Sequence, residues 1–204
     1  MRITLIRHGE TTGQSSVRYY GATDVPLSPV GEDQMRRAGA ALAFERFDAV
    51  LSSRLRRSRD GAALVAGRAP ETIAAFDEVD FGRWEGWTRE EIAARDPDNF
   101  RRWQEGPETF VYPEGECRQA FYRRVAAGIS AVLDDARATN LLLVVHRGVI
   151  AVALAELLGL APAARRALEI DLGSIHIVTS GAGTWRAEVL NRTDHLGAAA
   201  GPHP

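Results

Sequence analysis

Hydrophobic positions along the chain fall into short unbroken runs separated by longer stretches of helical spacing. Residues 3–6 (ITLI) and 141–145 (LLLVV) are almost continuously apolar, the pattern of strands covered on both faces of a parallel sheet. They predict strands over 2–7 and 141–146. "DAVLSS" (48–53) predicts another strand and "TIAAF" (72–76) a weaker one. Between them, 27–44 reads as a helix with Ser28 as N-cap, Pro29 at its first position and a buried stripe of Met35, Ala38 and Leu42. Helices are also expected over 54–67, ending near Gly67, and over 148–159. A long one spans 117–138, where Phe121, Val125, Ile129, Val132, Leu133 and Ala136 share one side. "SIHIVTS" and "TWRAEVLN" read as a hairpin joined across Gly181-Ala182-Gly183.

Strands alternating with helices define an α/β fold, here a three-layer sandwich with a mainly parallel central sheet flanked by helices. One domain is expected over 1–196, followed by a small-residue tail over 197–204 that reads as mobile. The regular alternation breaks at about 77–116, a lid-like excursion rich in glycine, acids and tryptophan. Thr88 and Glu91 make a capping box there, and Trp84, Trp87 and Trp103 are expected to pack the excursion over the sheet.

Composition narrows the function classes. The 204 residues carry a formal charge of -2, with a pI near 6.2, which offers no global basic field for nucleic acid or anionic lipid. No run approaches the roughly 20 apolar residues of a membrane span. The single cysteine, Cys117, excludes an intrachain disulfide and a cysteine-based zinc site. A cytoplasmic protein is the expectation. All 25 cationic side chains are arginine, with no lysine, so the position of an arginine within a motif carries weight and its mere presence does not.

In open α/β sheets ligands bind outside the carboxyl ends of the strands. The first and last predicted parallel strands deliver His8 and His146 to such ends, each with a glycine close behind, Gly9 and Gly148. A lone histidine there is more often structural; the repetition points to a built site. His176, inside a strand, and His203, in the tail, read as non-functional, and His195 stays undecided. Two histidines with Glu10 and Glu78 could hold a metal. Against that, Arg7 precedes His8 and Arg147 follows His146, and guanidinium groups repel a cation and bind phosphate bidentately. An anion site containing an imidazole suggests phosphoryl transfer through histidine. A leaving alkoxide then needs an acid, for which Glu78 and Glu85 both qualify.

"LIRHGET" (5–11) resembles the N-terminal signature of the histidine phosphatase superfamily, the phosphoglycerate-mutase-like enzymes. Further stretches are similar in family order: "RYYGATDVPLSPVGEDQ", "LSSRLRRS", "DEVDFGRWEG", "VVHRGVI" and "LNRTDHL". The resemblance implies His8 as phosphorylated nucleophile, Arg7, Arg57 and His146 as the rest of the phosphate pocket, and Glu78 as proton donor and then base for water. Gln14, Tyr20 and Gly21 would line the substrate side. It implies a small-molecule phosphomonoester substrate and no metal or organic cofactor.

Some positions depart from the family pattern. Gly13-Gln14 stand where Trp-Asn is common, "SSRL" replaces Ser-Ser-Pro-Leu, and Arg147 occupies a place where glycine is common. Pointing inward, Arg147 would favour a substrate with a second anionic group; pointing outward, it is one more surface arginine. Motif register favours Arg57 over Arg54, Arg56 and Arg59. The acid-bearing stretch looks like the phosphatase branch, including α-ribazole phosphatase-like members, which makes a phosphomonoesterase the expected function. Mutase-type phosphoryl transfer and a non-catalytic phospho-ligand-binding module are the alternatives. A homodimer paired through an edge strand near 174–179 is a further possibility.

Overall fold

The computed structural model describes residues 1–135, 139–181 and 183–199. Its centre is a six-stranded sheet: β1 (Arg2–Arg7), β2 (Ala49–Ser52), β3 (Glu71–Thr72), β4 (Asn140–Val145), β5 (Ile175–Gly181) and β6 (Thr184–Arg192). They lie in the order β3-β2-β4-β1-β5-β6. The first four in that order are parallel, and β5 and β6 are antiparallel additions. This is the mainly parallel sheet that the apolar runs predict.

Alternate residues of each run feed two separate cores, which is why the runs are continuous. Ile6, Leu142 and Val144 pack under α1 (Pro29–Ala41) and α2 (Arg56–Ala66). Leu5, Leu141, Leu143 and Val145 face the opposite layer, built from α5 (Arg118–Asp134) and α6 (Arg147–Leu158). The local signals act as expected: Ser28 accepts from Gly31 N at the start of α1, and Gly67 closes α2 at φ 67°. Thr88 and Glu91 form a reciprocal capping box at α3 (Arg89–Arg95). The excursion holds a second helix, α4 (Pro97–Glu105), and a short α7 (Pro162–Arg166) follows α6.

Two expectations need correction. The strand over 72–76 shrinks to β3; Ala74–Phe76 instead form a 3-10 turn, which swings Phe76 into the core at 0% exposure. The segment near 174–179 is no edge, because β5 lies between β1 and β6, and β6 forms the border of the sheet. Dimerisation through that segment is therefore blocked by the chain's own strand. The mobile-tail reading falls mostly outside the described residues: 194–199 continue as 3-10 turns, and 200–204 are not described. The helix predicted to 138 ends at Asp134, with Asp135 already extended, and 136–138 are not described.

Candidate active site

Because β1 and β4 are adjacent and parallel, with Arg7 opposite Val145, the residues just beyond their carboxyl ends meet. His8 N donates to Val145 O at 2.9 Å, and the His8 and His146 ring centroids are 5.1 Å apart at 65°. The His8 Nδ1–H donates to the adjacent Gly9 carbonyl at 2.8 Å, which fixes the tautomer and puts the lone pair on Nε2. His146 is wholly buried. Burial, then the charges of Arg57, His8 and Arg7, push its pKa well below the ordinary value, so it stays neutral. Its Nε2 lies 2.7 Å from Ser53 Oγ, and that hydroxyl already accepts from Leu55 N. Of the two partners of that hydroxyl only His146 Nε2 can take its proton, an arrangement that puts the imidazole proton on Nδ1.

Two arginines close on this pair. Arg7 donates from Nη1 to Ile170 O at 2.8 Å; burial, then Arg147, lower its pKa to about 10, still a cation at neutral pH. Arg57 is fully buried at the start of α2 and gives both terminal nitrogens to the carbonyls of Tyr20, Gly21 and Thr23. The rival register positions point outward: Arg54 pairs with Asp77, Arg59 with Asp60, and Arg56 is exposed. Among the described residues, Arg7 Nε, Arg57 Nε and His146 Nδ1 are buried donors with no hydrogen-bond partner. Such groups are rare in native proteins, and here three belong to one cluster.

The two candidate acids are used differently. Glu78 is 7% exposed; Oε1 accepts from Val79 N and Oε2 from Gly148 N, each at 2.9 Å. The second contact takes one N–H of the first turn of α6, the positive end of that helix. A Cβ on Gly148 would lie 2.4 Å from Glu78 Oε1, so only glycine lets the carboxylate this close. Glu85 instead accepts from the backbone N–H groups of Gly21, Ala22, Thr23 and Phe81. It ties down the loop whose carbonyls hold Arg57. Glu10 turns to Thr11 N and Ser16 N. Among the described residues no group of three or more His, Cys, Asp or Glu side chains is placed to hold a metal ion.

A second layer holds the Arg7-His8 strand end from behind. Segment 170–174 receives Arg7 N on Ser174 O and returns Gly173 N to the carbonyls of Arg7 and His8. Asn191, left-handed at φ 49°, grips that segment through Asp171 N (2.8 Å) and Asp171 Oδ2 (3.0 Å). His195 Nε2 donates to Gly173 O at 3.1 Å. The undecided histidine of "LNRTDHL" thus has a structural partner, and His176, its Nδ1 accepting from Asn191 N, is a buried neutral strut.

In front of His8 opens a cavity of about 480 Å³. Arg7, His8, Glu78, Tyr20 and Arg147 line it, whereas Arg57 and His146 lie beneath its surface. Gln14 does not reach it: the residue is exposed in a left-handed turn at φ 64°, and Ser15 and Arg18 stand on the wall instead. Gly21 does not line it either; a Cβ there would sit 1.7 Å from Val79 O, so this glycine serves the loop that holds Arg57. Trp84 packs the excursion as expected, at 1% exposure, but Trp103 also lines the cavity. Sequence reasoning missed Ser53, Asn191 and most of this wall, which includes Tyr19, Phe81, Arg89 and Tyr122. Of these, the "LSS" run before the helix was the readable signal for Ser53.

The sequence pattern of the histidine phosphatase superfamily (branch 1) matches residues 3–193. An adenosylcobalamin/alpha-ribazole phosphatase of Salmonella typhimurium is 33% identical over 194 residues, 94% of this chain and 96% of its own. A putative alpha-ribazole-5'-P phosphatase of Escherichia coli superposes with a TM-score of 0.86 at 30% identity, covering 94% of this chain and 96% of the other. A mycobacterial glucosyl-3-phosphoglycerate phosphatase, solved with VO3, does so at 0.82 and 28% identity, covering 94% and 99%. The shared fold, together with the pattern match across nearly the whole chain, establishes that this protein belongs to the histidine phosphatase superfamily, branch 1, and has the phosphoglycerate-mutase-like architecture.

Proposed function

We propose that the chain is a metal-independent phosphomonoesterase acting on a small phosphorylated metabolite through a phosphohistidine on His8. The observation that carries this is the trio of buried, unpartnered donors, Arg7 Nε, Arg57 Nε and His146 Nδ1, grouped around an imidazole whose Nε2 holds a lone pair. A phosphoryl group supplies the acceptors these donors lack, and charge on its equatorial oxygens is what such donors stabilise in the transition state. His8 Nε2 attacks phosphorus as the bond to the ester oxygen breaks. Glu78, set on the cavity wall by Val79 N and Gly148 N, gives that oxygen its proton. Water then attacks the phosphohistidine, loses a proton to the Glu78 carboxylate, and inorganic phosphate leaves. The names of the relatives make an α-ribazole phosphate a first substrate to try.

The test is to quench a reaction with excess phosphomonoester into alkali, where phosphohistidine survives, and map the adduct by mass spectrometry. Phosphate on His8 alone is the expected result. Turnover with no adduct on His8, or an adduct on another residue, overturns the reading.

A further inference from the structure

The cavity is far larger than a phosphoryl group needs, and its charge is one-sided. Among the described residues its lining has seven arginines but one carboxylate, Glu78, which sits at the His8 end. Arg18 and Arg165 are neutralised by Glu91 and Glu108 outside the cavity. Arg89, Arg118, Arg147 and Arg166 make no ion pair with any carboxylate among the described residues. Arg118 is only 8% exposed, and its partners are the Pro107 carbonyl and the faces of Phe110 and Tyr112. Cations held together without counter-ions raise one another's energy, and so favour an anion in the space between them. The arginine-only composition explains why these residues are arginine. It does not explain why they converge without acids.

Within this wall one spot collects the charge. Arg147 stands at the first position of α6, close enough to Arg7 to lower its pKa. Arg89, on α3, lines the cavity together with Tyr19 and Arg147, and the charges of both arginines act on that phenol. The Arg89 guanidinium is pinned 5.3 Å from the Phe100 and Trp103 rings, a stacked cation that keeps its remaining N–H groups for a ligand. Aromatic rings of Tyr19, Phe81, Trp103, Tyr112 and Tyr122 line the cavity beside these cations.

We infer that the cavity has a second anion seat, formed by Arg147 and Arg89 around Tyr19, and that the preferred phosphomonoester carries a second anionic group at its far end, joined to the phosphate by an apolar or planar portion. This rests on the phosphomonoesterase reading and specifies its substrate class. It also sets the chain apart from an enzyme suited to a riboside ester with only the one phosphate.

The test compares phenyl phosphate with 3- and 4-carboxyphenyl phosphate, which place a carboxylate at two distances from phosphorus. The wild type is expected to favour at least one carboxylated ester by about tenfold in kcat/KM, the preference residing in KM and shrinking as salt rises. Arg147→Gln and Arg89→Gln should each bring the ratio toward one. Arg147 is exposed, so its variant is the one least exposed to a folding objection. Arg36→Gln, on the outer face of α1 in an exposed pair with Glu32, should leave the ratio as it is. Equal kcat/KM for all three esters in the wild type, or a preference that survives in both arginine variants, overturns the second seat while leaving the phosphomonoesterase intact. Failure to release phosphate from any ester, α-ribazole phosphate included, would instead overturn the parent reading and the seat with it.

Discussion

The floor and the far wall of the same cavity are built on opposite principles. The floor comes from strand ends: β1 and β4 hold His8 and His146 through sheet hydrogen bonds, and Arg57 is locked by three carbonyls. Its donors are fixed before any ligand arrives, which is the arrangement that stabilises developing charge without reorganisation. The wall comes from α3, α4, α5, α6, α7 and the turns between them, elements far apart in sequence, and it holds its cations by stacking and by carbonyls. In the proposed mechanism the nucleophile and the phosphate donors therefore sit on the rigid sheet edge, and the groups that would select the rest of the substrate on this composite wall.

The two glutamates of the excursion offer the sharpest break in that comparison. Glu78→Gln should lower kcat by about 10²–10⁴-fold with little change in KM, measured on one good ester, because a general acid is lost while the cavity keeps its shape. If Glu85→Gln showed that loss and Glu78→Gln did not, the division between acid and loop anchor would be reversed.

A second prediction concerns the struts behind the floor. Burial lowers the His176 pKa to about 4, so from about pH 6.5 down to 4 the unfolded chain binds a proton that the folded one refuses. Stability is complete above the unfolded pKa and falls by about 3 kcal/mol across that window from this residue alone. His146 and His195, also lowered, add in the same direction. Denaturant titrations at pH 7 and pH 4.5 measure the total, and His176→Gln should flatten part of it. A chain equally stable at both pH values would contradict the buried neutral histidines.

Smaller effects separate anchoring from chemistry. Glu85→Gln should cost roughly 1–3 kcal/mol of stability, since one of its oxygens ceases to accept from the loop N–H groups. KM should rise and kcat stay within about tenfold. Asn191→Ala should cost about 1 kcal/mol and lower kcat more than KM, because segment 170–174 orients Arg7 and His8 and does not touch substrate. A change confined to the melting temperature would reduce Asn191 to a packing role.

The floor was legible in the sequence because each of its parts is local: an apolar run, then a histidine, then a glycine. Thr88 with Glu91 and Ser28 with Pro29 were legible for the same reason, since a cap is written within four residues. TIAAF misled because its hydrophobicity serves a single inward turn at Phe76, with no partner strand beyond Thr72. Gln14 was placed on the wall by motif order, yet its backbone enters the left-handed region and carries the side chain out. The wall itself is a tertiary product. No local spacing announces that Tyr19, Arg89, Tyr122 and Arg147 will share one surface, and an arginine-only composition hides which guanidinium groups lack a partner.

The most direct measurement of the central claim is phosphate release by the wild type and by His8→Ala, on a panel of small phosphomonoesters in excess chelator. The account predicts sustained turnover by the wild type and a loss on the order of 10⁴-fold or more in the variant, which should still bind inorganic phosphate through Arg7, Arg57 and His146. Turnover that survives in His8→Ala, or that vanishes from the wild type on adding chelator, would contradict it.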